Sequence, residues 1–184
     1  IIMNGLMIFA DGFEDSEGLT TLDVLRRAKM DICCVSLSSN NYVITSANNK
    51  VEFDISYNEI DYRKFDFLII PGGKAVFNVL IHSLWLNEVI TYFATNNKLI
   101  CAICAAPMLI GRLGFLNGYK YTCFPGCEAN VVGGELINQN VVFDRNIISA
   151  KSMYYSCDFA LKIIEVLKGK NESEIIERQI KGLE

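Results

Sequence analysis

The feature that most constrains this chain is an alternation. Short apolar runs recur along it, and most are followed by a segment with helical spacing. Leu6–Ala10, Ile32–Leu37, Phe67–Ile70, Leu99–Ile103 and Ile147–Ala150 are too short for helices and read as buried strands. Helical spacing covers Ser16–Ala28, Ala75–Asn96 with an interruption near Ser83, Ala105–Leu113, Cys157–Leu167 and Glu172–Ile180. In the first helix Leu19, Leu22, Val24 and Leu25 face inward, and Arg26-Arg27 sit near the C-terminus, where cations suit the dipole. Lesser strands are expected at Tyr42–Thr45, Val51–Asp54, Lys120–Cys123 and Val141–Asp144, within polar or loop-rich stretches. Strands that are apolar on both faces need helices on both sides, which implies a mainly parallel sheet. No Pro/Ser-rich linker, repeat or low-complexity run divides residues 1–184, so the chain reads as one doubly wound α/β domain.

Composition narrows the function. With 184 residues, 51% of them hydrophobic, the chain buries a core without disulfide or metal staples. The 17 basic residues against 21 acidic leave a net charge of −4, which disfavours a nucleic-acid partner. No apolar stretch reaches the roughly 18 residues needed to span a bilayer. The apolar start Ile1–Ala10 lacks the basic flank of a signal peptide. Seven cysteines stand against one histidine. Their number is odd and Cys33 and Cys34 are adjacent, so a disulfide framework is not indicated. A soluble protein of the reducing cytoplasm is expected, most of its cysteines packed as small hydrophobes.

Sites in doubly wound folds form where loops leave the carboxyl ends of the strands. Three loops carry useful chemistry: Asp11–Glu17, Pro71–Lys74 and Cys104–Pro107. Cys104 ends an apolar strand among Ala102, Ala105 and Ala106, small neighbours of the kind that a sharp strand-to-helix turn requires. Pro107 suits a first helical turn, and a helix start lends a cysteine thiolate character. The plain alternative is one more buried cysteine. Gly72-Gly73 allows close backbone approach. The Gly73 and Ala105 N–H groups are candidates for an oxyanion hole over Cys104, or Pro-Gly-Gly is simply a turn. Glu14, Asp15 and Glu17 either complement the helix dipole or place one carboxyl beside Cys104 as acid or base.

Other cysteine patterns carry less weight. Cys101-x-x-Cys104 has redox-dithiol spacing, but Cys101 lies inside a buried strand. Cys101, Cys104, Cys123 and Cys127 approach a zinc spacing, but the continuous core-like run Leu99–Ile110 lacks the glycine turn of a zinc knuckle. His82 falls in the helical stretch after Pro-Gly-Gly, with nothing to place it beside Cys104.

Five stretches resemble the ThiJ/PfpI superfamily, in the order that superfamily has them. They are Ala-Asp-Gly-Phe-Glu-Asp-Ser-Glu (10–17), Thr-Thr-Leu-Asp-Val-Leu-Arg-Arg (20–27), Ile-Ile-Pro-Gly-Gly (69–73), Ala-Ile-Cys-Ala-Ala-Pro (102–107) and Asp-Phe-Ala-Leu-Lys-Ile-Ile (158–164). The resemblance implies a flavodoxin-like three-layer sandwich and a homodimer. It makes Cys104 the reactive, readily oxidised cysteine and Glu17 the carboxyl that hydrogen-bonds it, with Gly73 and Ala105 at the oxyanion hole. It implies no cofactor and no metal. The activities it implies are conversion of 2-oxoaldehydes, small carbonyl substrates, to hydroxy acids, repair of glycated proteins and chaperone-like stress protection. Three departures bear on this. Ala105 stands where the protease-like branch has histidine, which argues against peptidase activity. Phe124 stands where some members place a histidine near the cysteine. Ser152-Met153-Tyr154-Tyr155 replaces the usual Gly-Pro-Gly-Thr, so a pocket of Gly72, Phe124, Pro125 and Tyr154 is expected to be narrowed. No kinase or phosphate-binding loop supports the thiazole-phosphate synthesis label that follows the superfamily.

Overall fold

The computed structural model describes residues 3–53 and 55–183. The elements follow in chain order. β1 (Asn4–Phe9) leads through a π-helical turn, Ser16–Thr20, into α1 (Thr21–Arg27), then β2 (Asp31–Ser36), β3 (Tyr42–Ile44), β4 (Lys50–Glu52) and β5 (Ile55–Ser56). Next come β6 (Phe67–Ile70), α2 (Ala75–Asn78), α3 (Leu84–Thr95), β7 (Leu99–Ile103) and α4 (Pro107–Gly111). β8 (Lys120–Tyr121), β9 (Glu135–Leu136), β10 (Val141–Asp144), β11 (Ile147–Ala150), α5 (Ser156–Lys168) and α6 (Lys170–Ile180) complete the chain.

Seven strands form one sheet in the order β10-β11-β7-β6-β1-β2-β5. All neighbours are parallel except β10 with β11. β1, β6, β7 and β11 are apolar and buried because helices cover the sheet: α5 packs on β7 and β11 and α1 on α5, while α3 packs on β6 and β7. The fold is the flavodoxin-like α/β arrangement with a mainly parallel sheet. The chain moves outward from β1 through β2 to β5, then returns to β6 on the other side of β1. Loops after β1 and β6 therefore leave in opposite directions and open a crevice between them, the switch point where such folds bind ligands.

Several expectations shift in detail. The long segment after Pro-Gly-Gly breaks where expected: Ser83 Oγ accepts from the Leu86 N–H at 3.1 Å and caps α3. Leu19, expected inward, is exposed, because the π turn rotates it off the apolar stripe. β4 is shorter than the expected Val51–Asp54, whose last residue lies outside the described residues, as do Ile1 and Ile2 of the apolar start. The cysteines are less uniformly packed than expected: Cys101, Cys123 and Cys127 are buried, Cys33 and Cys34 only partly, and Cys157 is exposed on α5. No described helix is long and apolar enough to cross a membrane.

Candidate active site

The three loops singled out from the sequence meet at the switch point. Phe13 bridges Gly73, and the Glu14 N–H donates to the Gly72 carbonyl at 3.1 Å. The Ala75 N–H donates to Gly12 O at 3.0 Å, so the loop after β1 is stitched to the loop after β6. Gly73 sits at φ 92, in the left-handed region, where a Cβ would meet Glu14 N at 2.5 Å. Only glycine fits there.

Cys104 follows β7 directly. Its N–H donates to Ala150 O at 2.8 Å, which continues the β11 ladder, and then the backbone turns over at φ 65. A non-glycine residue at positive φ is held at a cost. Here the turn lifts the side chain out of the sheet, while Cys101, three residues earlier, stays fully buried in β7.

The three acids of the first loop take different roles. Glu14 Oε2 accepts from the Glu17 N–H at 2.8 Å and caps the helical start. Asp15 staples the turn after β3: it accepts from Thr45 Oγ1 at 2.7 Å, the Ala47 N–H at 3.0 Å and Asn49 Nδ2 at 2.9 Å. Glu17 alone turns inward and is 1% exposed. Its Oε2 accepts from the Gly72 N–H at 2.8 Å. Its Oε1 is buried without an oxygen or nitrogen partner, and its carboxyl meets the Cys104 thiol.

The electrostatics follow from this placement. Burial raises the Glu17 carboxyl to about 7, the Glu14 charge adds to the rise, and the bonds to Cys104 and to the Gly72 N–H oppose it. Burial also pushes the Cys104 thiol up, and the Glu17 charge pushes it further, while the Ala105 N–H pulls the other way. The expectation of a cysteine made acidic by a helix start is therefore not met: α4 has five residues, too short for a strong dipole to offset burial. The two groups form a coupled pair. The charge resides on one or the other, and a proton on Glu17 removes the like charge that disfavours the thiolate.

A cavity of about 320 Å³ opens over Cys104, lined by Gly73, Phe77, Ala105, Phe124, Pro125, Gly126, Cys127 and Asn130. Among the described residues neither the Gly73 nor the Ala105 N–H meets a main-chain acceptor. Gly72 is buried behind the cavity rather than on its wall. Tyr154 is no part of it: its side chain is 82% exposed and packs edge-on against Tyr155. Ser152 is extended and a 3₁₀ turn follows, which carries the Met153–Tyr155 side chains away, so this segment does not narrow the cavity. His82 is exposed and lines a separate cavity with Leu84 and Trp85. No three His, Cys, Asp or Glu side chains among the described residues gather as a metal-binding set. Phe77, Gly126, Cys127 and Asn130 line the cavity without having been expected there. The Pro125-Gly126 pair was the available signal for Cys127, because it marks a turn that folds this wall back toward Cys104.

Known proteins share this layout. The chain is 31% identical over 182 residues to protein dj-1beta of Drosophila melanogaster, covering 98% of this chain and 96% of that protein. The solved structure of Drosophila DJ-1beta superposes with a TM-score of 0.91 at 28% identity, covering 98% of each chain. Protein DJ-1 homolog B of Arabidopsis thaliana is 31% identical over 168 residues, 91% of this chain, but the chain spans only 38% of that longer protein. The profile of the DJ-1/PfpI family matches residues 4–166, a span that holds all three loops and the whole seven-stranded sheet, and the chain belongs to that family.

Proposed function

We propose that the chain is a cysteine-dependent stress-protection protein that converts 2-oxoaldehydes to hydroxy acids, in the manner of a glyoxalase III or deglycase. The observation that carries this reading is the buried Glu17 carboxyl, raised to about 7, against the Cys104 thiol on the floor of an open cavity. The pair supplies a nucleophile and a proton carrier matched to neutral pH.

In this reading Glu17 takes the Cys104 proton as the sulfur adds to the aldehyde carbon. The Gly73 and Ala105 N–H groups receive the developing oxyanion, which then takes a proton to give a hemithioacetal. Glu17 removes the proton from that carbon and returns it to the neighbouring carbon, while the hydroxyl proton of the hemithioacetal passes to the neighbouring oxygen, leaving a 2-hydroxy thioester. Water cleaves the thioester, releasing the hydroxy acid and restoring the thiol. Every step uses groups of this chain and water. Cys104→Ser is expected to abolish methylglyoxal turnover, and Glu17→Gln to lower kcat by roughly 100-fold or more. Unchanged turnover in Cys104→Ser overturns the mechanism.

A second reading is a non-catalytic redox sensor or chaperone that works through oxidation of Cys104. The observation favouring it is the second thiol, Cys127, in the same cavity. Selective oxidation of Cys104 after mild peroxide, read as gain of oxygen or as loss of its free thiol to a disulfide, without aldehyde turnover, selects it. In both readings the protein acts in the cytoplasm, where a reducing environment keeps thiols such as Cys104 and Cys127 available, and as a homodimer. Light scattering is expected to give twice the chain mass of 20.6 kDa.

A further inference from the structure

Cys127 reaches the Cys104 cavity through a specific piece of backbone. Phe124-Pro125-Gly126-Cys127 is a four-residue turn in which the Cys127 N–H donates to the Phe124 carbonyl at 3.0 Å. Pro125 holds the second position, and Gly126, at φ 94 and ψ −22, holds the third. This is the type II pattern, which needs glycine at that point. The Phe124 N–H in turn donates to the Cys104 carbonyl at 2.8 Å. The turn that presents Cys127 is thus tied to the backbone of the reactive residue itself, and both side chains face one void.

The geometry points to Cys127 as the resolving thiol of Cys104: when a peroxide oxidises Cys104 to a sulfenic acid, Cys127 closes an intramolecular disulfide with it. In the first step the Cys104 thiolate attacks one peroxide oxygen and the O–O bond breaks. The alkoxide or hydroxide leaves and is protonated. Sulfur loses two electrons and the peroxide gains them. In the second step the Cys127 sulfur attacks the Cys104 sulfur, the S–S bond forms and the S–O bond breaks. The oxygen leaves as water with the Cys127 proton, and Glu17, beside Cys104, is placed to relay it. Reopening the disulfide consumes an external thiol.

Closure requires the two Cα atoms to lie about 4.4–6.8 Å apart. The Gly126 corner has room to adjust: no heavy atom lies within 4 Å of where a Cβ would project, and its N–H donates to Glu128 Oε2 of the same segment at 2.6 Å. Burial, with the Glu128 charge, holds the Cys127 thiol above its ordinary range, so closure is faster at higher pH. Cys123 is the nearby competitor. It is buried, its sulfur approaches Glu128 Oε2 at 4.0 Å, and it does not line the cavity. The inference needs Cys104 to be oxidised but does not need aldehyde turnover, so the two are tested separately.

The test treats the reduced full chain with one equivalent of hydrogen peroxide, alkylates free thiols and maps the peptides without reductant. A linked Cys104–Cys127 pair is expected, with little sulfenate trapped by dimedone. In Cys127→Ser the dimedone adduct and the sulfinate on Cys104 are expected to rise severalfold, while Cys123→Ser behaves as wild type. Cys104 sulfinate accumulating in wild type with Cys127 alkylated overturns the proposal, as does a disulfide through Cys123. The wild-type arm decides the matter even where a variant fails to fold.

Discussion

Glu17 and Cys104 compete for one proton in a place that favours neither charge. Glu17 is raised from 4.5 to about 7, first by burial. A carboxyl raised on folding stabilises the native state fully below its unfolded value and loses that contribution as pH rises through its folded value. The window here runs from about 4.5 to about 7. Above it, keeping the buried charge costs roughly 3 kcal/mol, at about 1.4 kcal/mol per pH unit. Glu17→Gln removes the charge and keeps an oxygen for the Gly72 N–H. Its melting temperature is expected to exceed that of wild type above pH 7 and to approach it in acid, although turnover falls. Melts on both sides of pH 7 check this, and a variant less stable on both sides contradicts it. The stability lost at Glu17 is thus tied to the chemistry proposed for the site.

At the scale of elements, the site is a junction of strand ends with no room for a methyl group. A Cβ on Gly72 would lie 2.6 Å from Glu17 Oε2 and 2.7 Å from Ile103 O, and one on Gly73 would meet backbone at 2.5 and 2.7 Å. Gly72→Ala and Gly73→Ala are each expected to cost about 2 kcal/mol or more and to displace Glu17 from Cys104. Gly126→Ala, with open space and only its positive φ to overcome, is expected to cost about 1 kcal/mol. Denaturant midpoints for the three variants test the contrast. Strands near this junction were legible: β6, β7 and β11 fall on the residues that their apolar runs marked. The glycine pair and Cys104 were legible for the same reason, because each sits at the end of such a run. The choice among Glu14, Asp15 and Glu17 could not be made from local sequence. It depends on the turn after β3, which takes Asp15, and on Gly72, which takes Glu17. Tyr154 was misplaced because the direction of a side chain on a single 3₁₀ turn follows no periodicity.

At the scale of the whole molecule, the site exists only because the sheet order reverses beside β1. Glu17 comes from the loop after β1, Gly73 from that after β6 and Cys104 from that after β7, so distant parts of the chain must fold together to assemble them. The outermost layer contributes to this. α6 lies beyond the residues matched by the family profile, yet it packs on α5, buries Ile176 to 2% exposure and donates from Ser173 Oγ to Leu161 O at 2.8 Å. α5 packs in turn on α1, β7 and β11, elements that adjoin the site: α1 follows Glu17, β7 leads into Cys104, and β11 accepts the Cys104 N–H. If the chain is one cooperative domain, a cavity opened under α6 weakens all of it. Ile176→Ala is expected to cost about 2–5 kcal/mol and to shift one sharp transition, with the fluorescence of Trp85 and the helical circular dichroism moving together. Trp85 lies in α3, which packs on β6 and β7 rather than on α6, so it reports on the sheet's other covering layer. Separate transitions for the two signals would show that α5 and α6 melt apart from the sheet, and the single-domain reading would then fail.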